Sequence, residues 1–123
     1  PVLCVGERLS AREAGEHEDV VRAQLRSALA KSQPNLMIAY EPVWAIGSGE
    51  AASADVASEM HLEIRAVLAD QYPELRVLYG GSVKPDNCAA FTMAEGIDGL
   101  LVGGASLSAE SFWNICALAK GAE

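Results

Sequence analysis

The residues best suited to chemistry lie in "LMIAYEPVWAIGSG", residues 36–49. An apolar run ends at Tyr40, a single carboxylate follows at Glu41, and Trp44 and Ile46 come three and five positions later. A carboxylate enclosed by apolar groups loses hydration, which disfavours its charged form and makes it a stronger base. Such a group suits proton abstraction. A strand-end glutamate paired with an arginine is the more ordinary use of the same residue, and residue types alone leave both readings open.

Two glycine pairs suggest a second chemistry. In "YGGSV" (79–83) and "LVGGAS" (101–106), backbone N–H groups free of side chains can converge on a phosphate oxygen, and a short helix aimed there adds a favourable dipole. Either pair alone is also what a tight turn uses, but Gly47 adds a third contributor on the preceding loop. Residues 47–52, "GSGEAA", match the dinucleotide pattern G-x-G-x-x-A. That pattern needs its first glycine at the strand end, whereas residues 41–46 intervene here. A nucleotide-binding open sheet would require cofactor binding at Gly47 and Gly49.

These groups need elements to hold them. Strand-length apolar runs occur at "VLCV" (2–5), "LMIAY" (36–40), "LRVLY" (75–79) and "GLLVG" (99–103). Between them, Val21, Leu25, Ala28 and Leu29, then Val56, Met60, Ile64, Val67 and Leu68, recur at helical spacing. Ser53 and Ser108 suit N-caps, Pro85 a first helical position and Gly96 a helix stop. Residues 13–19, "EAGEHED", read as a solvated turn.

The pattern predicts four βα units in a single α/β domain over residues 1–123. Nearly continuous apolar strands, broken only by Arg76, predict parallel strands covered on both faces. The polar and glycine-rich loops follow the strands, so the site belongs at their carboxyl ends.

Composition narrows the function classes. Half of the 123 residues are hydrophobic and mean hydropathy is +0.15, which suits one packed core. Acidic residues outnumber basic ones by 17 to 9, and no basic patch appears, so nucleic acid is not an expected partner. Cys4, Cys88 and Cys116 form no CxxC pair and are expected to be buried free thiols, as in a reducing cytoplasm. No run is long enough to span a bilayer and the first residues lack a leader pattern, so a soluble, untargeted protein is expected. Neither a metal nor a cofactor is expected.

"CVGE" (4–7), "YEPVWAIGSG" (40–49), "YGGSV" (79–83) and "LVGGASL" (101–107), in this order and spacing, resemble the triosephosphate isomerase family. The resemblance implies an (β/α)8 TIM barrel of which this chain is half, beginning at the fifth strand. It implies interconversion of dihydroxyacetone phosphate and glyceraldehyde 3-phosphate, with Glu41 as the general base. Gly47, Ser82, Gly103 and Gly104 would bind the substrate phosphate. Pro42, Val43 and Trp44 would form the first hinge of a lid with Ala45, Ile46, Gly47, Ser48 and Gly49 at its tip.

By the same resemblance, Ile46 and Leu101 would clamp the carboxylate and exclude water. Tyr79 and Ser82 would bond the closed lid, and Glu7 would meet the Trp44 indole in the open one. Ser48 stands where the family usually has threonine, and Glu50 where lysine is common. The family's substrate-attracting lysine and carbonyl-polarising histidine belong to the other half. Neither His17 nor His61 is placed to replace that histidine, and Lys84 is expected at the surface. The implied partners are a triose phosphate and either a complementing N-terminal half-barrel or another copy of the chain. An inactive self-associating half-barrel is the alternative.

Overall fold

The computed structural model describes residues 1–48 and 50–120. Strands β1 (Val2–Val5), β2 (Met37–Tyr40), β3 (Arg76–Tyr79) and β4 (Gly99–Leu100) form one parallel sheet in chain order. Helix α1 (Leu9–Glu13) and helix α2 (His17–Ala28) link β1 to β2, α3 (Ala54–Leu68) links β2 to β3, α4 (Cys88–Thr92) links β3 to β4, and α5 (Ala109–Lys120) follows β4. This is a half α/β barrel.

Register explains which residues are buried. Leu3, Ile38 and Val77 align across the sheet, as do Val5, Tyr40, Tyr79 and Leu100. These point toward the helices and pack with Val21, Leu25, Met60, Ile64 and Phe91 in the core. Each fully buried Leu or Ile there contributes about 1.5–3 kcal/mol. Cys4, Ala39, Leu78 and Gly99 share the opposite face. Glu41, two residues beyond Ala39, continues along that face.

Arg65 fastens α3 to the sheet. Its guanidinium donates to the carbonyls of Gly96 at 3.1 Å and Leu75 at 3.0 Å and pairs with Asp98, whose carboxylate also accepts from the Val77 N–H at 2.8 Å. Gly96 lies at φ +83°, a conformation in which a side chain is strained, and its carbonyl also faces His61 Nδ1 at 3.3 Å.

Several expectations need correction. The apolar strands are not covered on both faces. β1 is largely exposed: Val2 is 41% accessible, and among the described residues no strand pairs with the outer edge of β1, although Ala39 on the inner face of β2 is fully buried. Cys4 lies on the inner face of this edge strand and is exposed, and Cys116 on α5 is exposed as well. Only Cys88 is a buried thiol, although all three are free.

The expected solvated turn at 13–19 is shorter. Residues 9–13 form α1, Gly15 turns at φ +73°, and α2 begins at His17 with Glu18 and Asp19 favourably placed in its first turn. The fourth strand stops at Leu100 instead of reaching residue 103, where the chain turns into the short 3-10 helix Gly104–Leu107. Pro85 opens a turn that precedes α4 instead of occupying its first position. Ser53 and Ser108 accept from the N–H groups of Val56 and Ser111, as N-caps do. Among the described residues no helix is long and apolar enough to cross a membrane.

Candidate active site

Glu41 follows the last residue of β2, and its N–H donates to the Val5 carbonyl at 2.7 Å. Its side chain is half-buried, and among the described residues it forms no ion pair, so it is not the arginine-paired strand-end glutamate. Two glycines make room for it. A β-carbon on Gly6 would fall 1.8 Å from the Glu41 carbonyl oxygen, and one on Gly80 would fall 2.6 Å from Glu41 Cγ. Cys4 sits beside the carboxylate on the same face; burial first, and the neighbouring Glu41 second, push its thiol up.

Above the strand ends lies a cavity of about 890 Å³. It brings together Glu41, Ile46, Gly47, Ser82, Leu101, Gly103 and Gly104 from three separate loops. The wall also contains Gly80, Gly81, Asp86, Ser111 and the exposed Lys84. Added β-carbons on Gly47, Gly103 and Gly104 would meet nothing within 4 Å, so neighbouring protein atoms do not require these glycines. Gly47 is required by its backbone, at φ +67°. Neither His17 nor His61 lines the cavity.

The segment after Glu41 is anchored at its start and open at its tip. Pro42 is buried, and Val43–Ala45 form a 3-10 turn closed by the Ala45 N–H to the Pro42 carbonyl at 2.9 Å. Ser82 Oγ donates to the Ala45 carbonyl at 2.6 Å, and Ser48 Oγ donates to that of Trp44 at 3.0 Å. Ile46 remains 47% exposed, so in this conformation it does not enclose the carboxylate. Gly49 lies outside the described residues. The Tyr79 ring stacks on Phe91 at 4.0 Å, and its buried hydroxyl lies beside the Ala52 backbone.

Behind this segment, Glu7 is fully buried. Its carboxylate accepts from the Tyr40 hydroxyl at 2.6 and 3.0 Å, from Arg12 Nε at 3.0 Å and from Trp44 Nε1 at 3.5 Å. The Arg12 guanidinium also lies 5.7 Å from the centre of the Trp44 ring. Burial first, and Glu7 next, push the Tyr40 phenol well above its ordinary range. Sequence reasoning missed the roles of Arg12 and Tyr40, because no periodicity links residues 7, 12 and 40, and it read Gly80 as part of a phosphate loop and not as the residue that makes room for Glu41.

Away from the cavity, ligand atoms of His17, Glu18 and Glu59 lie within 4.8 Å of one another. Arg22, at 3.5 Å from Glu18, already supplies a positive charge there.

The arrangement joins an unpaired carboxylate to a cavity edged by backbone-rich loops. A family model described as triosephosphate isomerase matches residues 1–119. The chain belongs to the triosephosphate isomerase family. It is 55% identical over 122 residues to triosephosphate isomerase of Marinobacter nauticus, covering 94% of this chain and 48% of that protein. With the triosephosphate isomerase of Chloroflexus aurantiacus it shares 49% over 124 residues, covering 94% of this chain and 50% of the relative. The match to the enzyme of Roseiflexus is 50% over 124 residues, with 94% and 49% covered. The chain thus spans about half the length of these curated relatives.

Proposed function

We propose that this chain supplies the base and phosphate loops of a triosephosphate isomerase, interconverting dihydroxyacetone phosphate and glyceraldehyde 3-phosphate once a complementing N-terminal half supplies the lysine and histidine. The observation that carries the reading is that Glu41, Ser82, Gly103 and Gly104 border one cavity. Glu41 takes a proton from the substrate carbon beside the carbonyl, giving an enediolate, and returns it to the neighbouring carbon. The N–H groups of Gly47, Ser82, Gly103 and Gly104 hold the phosphate, which keeps the reacting carbons at the carboxylate. Closure of the segment over residues 42–49 brings Ile46 down opposite Leu101, expelling water from around the base.

The electrophile is the missing part. Among the described residues Lys84 is the cation on the cavity wall and neither histidine lines the cavity, so in this reading polarisation of the carbonyl falls to the partner half. The free thiols suit a cytoplasmic setting. The test mixes the purified chain with a polypeptide spanning the first half of a relative and follows isomerisation in both directions. Activity only in the mixture supports the reading, and its absence from a folded complex overturns it.

The uncovered inner face and the free edges of β1 and β4 favour a second reading, an inactive half-barrel that associates with its own copies. In that case the complementing half adds no activity and the mass in solution is a multiple of the chain's.

A further inference from the structure

We propose that Arg12 is a positioning residue for the segment following Glu41: through Glu7 and the Trp44 ring it holds the first hinge and sets how often the lid leaves this conformation. The lid itself rests on the isomerase reading above. The hold of Arg12 on Trp44 rests on the contacts alone.

Glu7 is fully buried, and a buried carboxylate without a cation would be strongly disfavoured. Arg12 is its ion-pair partner, with Nε at 3.0 Å and a side chain that is 18% exposed. The pair reaches both sides of the base in sequence. Arg12 Nη2 lies 3.4 Å from the hydroxyl of Tyr40, the residue before Glu41, while Glu7 Oε1 faces the indole of Trp44, three residues after it. The backbone joins in, because the Val43 N–H donates to the Glu7 carbonyl at 2.9 Å.

The indole bond to Glu7, at 3.5 Å, is long, so it holds weakly by itself. Arg12 adds to it in two ways. It fixes the Glu7 carboxylate where the indole meets it, and it presents its cation 5.7 Å from the Trp44 ring centre. A swing of residues 42–48 toward the cavity that carries Trp44 along takes the indole away from both groups. Arg12 therefore favours the conformation seen here without touching the substrate. Lysine in its place keeps the charge but loses the planar guanidinium and its directed N–H groups.

The test reads Trp44 by fluorescence in the full chain, with the exposed Trp113 changed to Phe so that Trp44 alone reports. Arg12→Lys is expected to red-shift its emission and raise acrylamide quenching, as the lid equilibrium shifts a few-fold with loss of the directed guanidinium bond to Glu7, within the roughly 2- to 30-fold that loss of the whole cation–π contact would give. Arg12→Met together with Glu7→Gln removes both charges and avoids an unpaired buried carboxylate. A folded double variant is expected to release Trp44 further.

Unchanged Trp44 shielding in Arg12→Lys, or in a folded double variant, overturns the proposal. If the double variant does not fold, Arg12→Lys decides. In the complemented enzyme, Arg12→Lys should move KM and kcat together, as lid populations enter both; a change in neither, with Trp44 released, overturns the lid role. Lack of activity in the unsubstituted complex strikes the isomerase reading instead and leaves the fluorescence result standing.

Discussion

Gly80 leaves its β-carbon position to Glu41: a methyl group there would sit 2.6 Å from the glutamate Cγ and 3.3 Å from its Oε1. The strand-end geometry of β3 thus limits where the Glu41 side chain after β2 can lie, since the Gly80 N–H is held 2.8 Å from the Tyr40 carbonyl. Gly80→Ala forces the Glu41 side chain aside, and a half-buried side chain can yield without unfolding the sheet. Turnover of the complemented enzyme should fall about 100-fold, as expected for a misplacement near 1 Å, while the urea midpoint changes little. Steady-state kinetics beside urea unfolding check this; retained turnover would mean the base has room the structure does not show.

Glu41→Gln keeps the size of the side chain and removes its ability to accept a proton. In the complemented enzyme kcat should drop by roughly 10²- to 10⁴-fold, the usual contribution of a positioned acid-base group, with phosphate affinity nearly unchanged. Turnover near that of the parent would take Glu41 out of the mechanism.

The chain alone should separate binding from catalysis. Gly103 and Gly104 line the cavity, and the net charge of −8 opposes an incoming dianion. Phosphate titration followed by amide NMR is expected to shift Gly103 and Gly104 weakly, with no isomerisation above background. Robust turnover by the purified chain would show that it needs no partner.

Acid should loosen the fold through His61. Burial first, with the Arg65 charge adding to it, lowers this imidazole to about 4 from 6.5, so the native state keeps it neutral while the unfolded chain takes up a proton. Stability from this group is complete above pH 6.5 and declines as pH falls toward 4, by roughly 3 kcal/mol in total. His61→Gln should flatten that part of the profile. Thermal melts at intervals across the window test it, and an equal slope in the variant would assign the acid loss to other groups.

The uncovered inner face and unpaired edges should make the isolated chain associate. Sedimentation at micromolar concentration is expected to show species larger than 12.9 kDa. A compact monomer would mean that the exposed face, including Val2 and Cys4, is tolerated in water.

The sequence by itself determined the local framework. Apolar runs placed β1, β2 and β3 to within a residue, helical spacing located α2 and α3, and the motif "YEPVWAIGSG" marked the family. These features depend on side chains near one another along the chain, so periodicity and caps record them. Burial on the inner face did not follow, because "VLCV" has the same apolar character whether or not another half covers it.

Only the tertiary structure decided which distant residues share a site. Glu7, Arg12, Tyr40 and Trp44 meet because the β1–α1 loop and the end of β2 lie side by side in a parallel sheet. Gly80 serves Glu41 because β3 pairs with β2 in a register that sets the two strand ends level. Such contacts arise from strand order and register, which are properties of the packed sheet and have no local spacing in the chain to announce them.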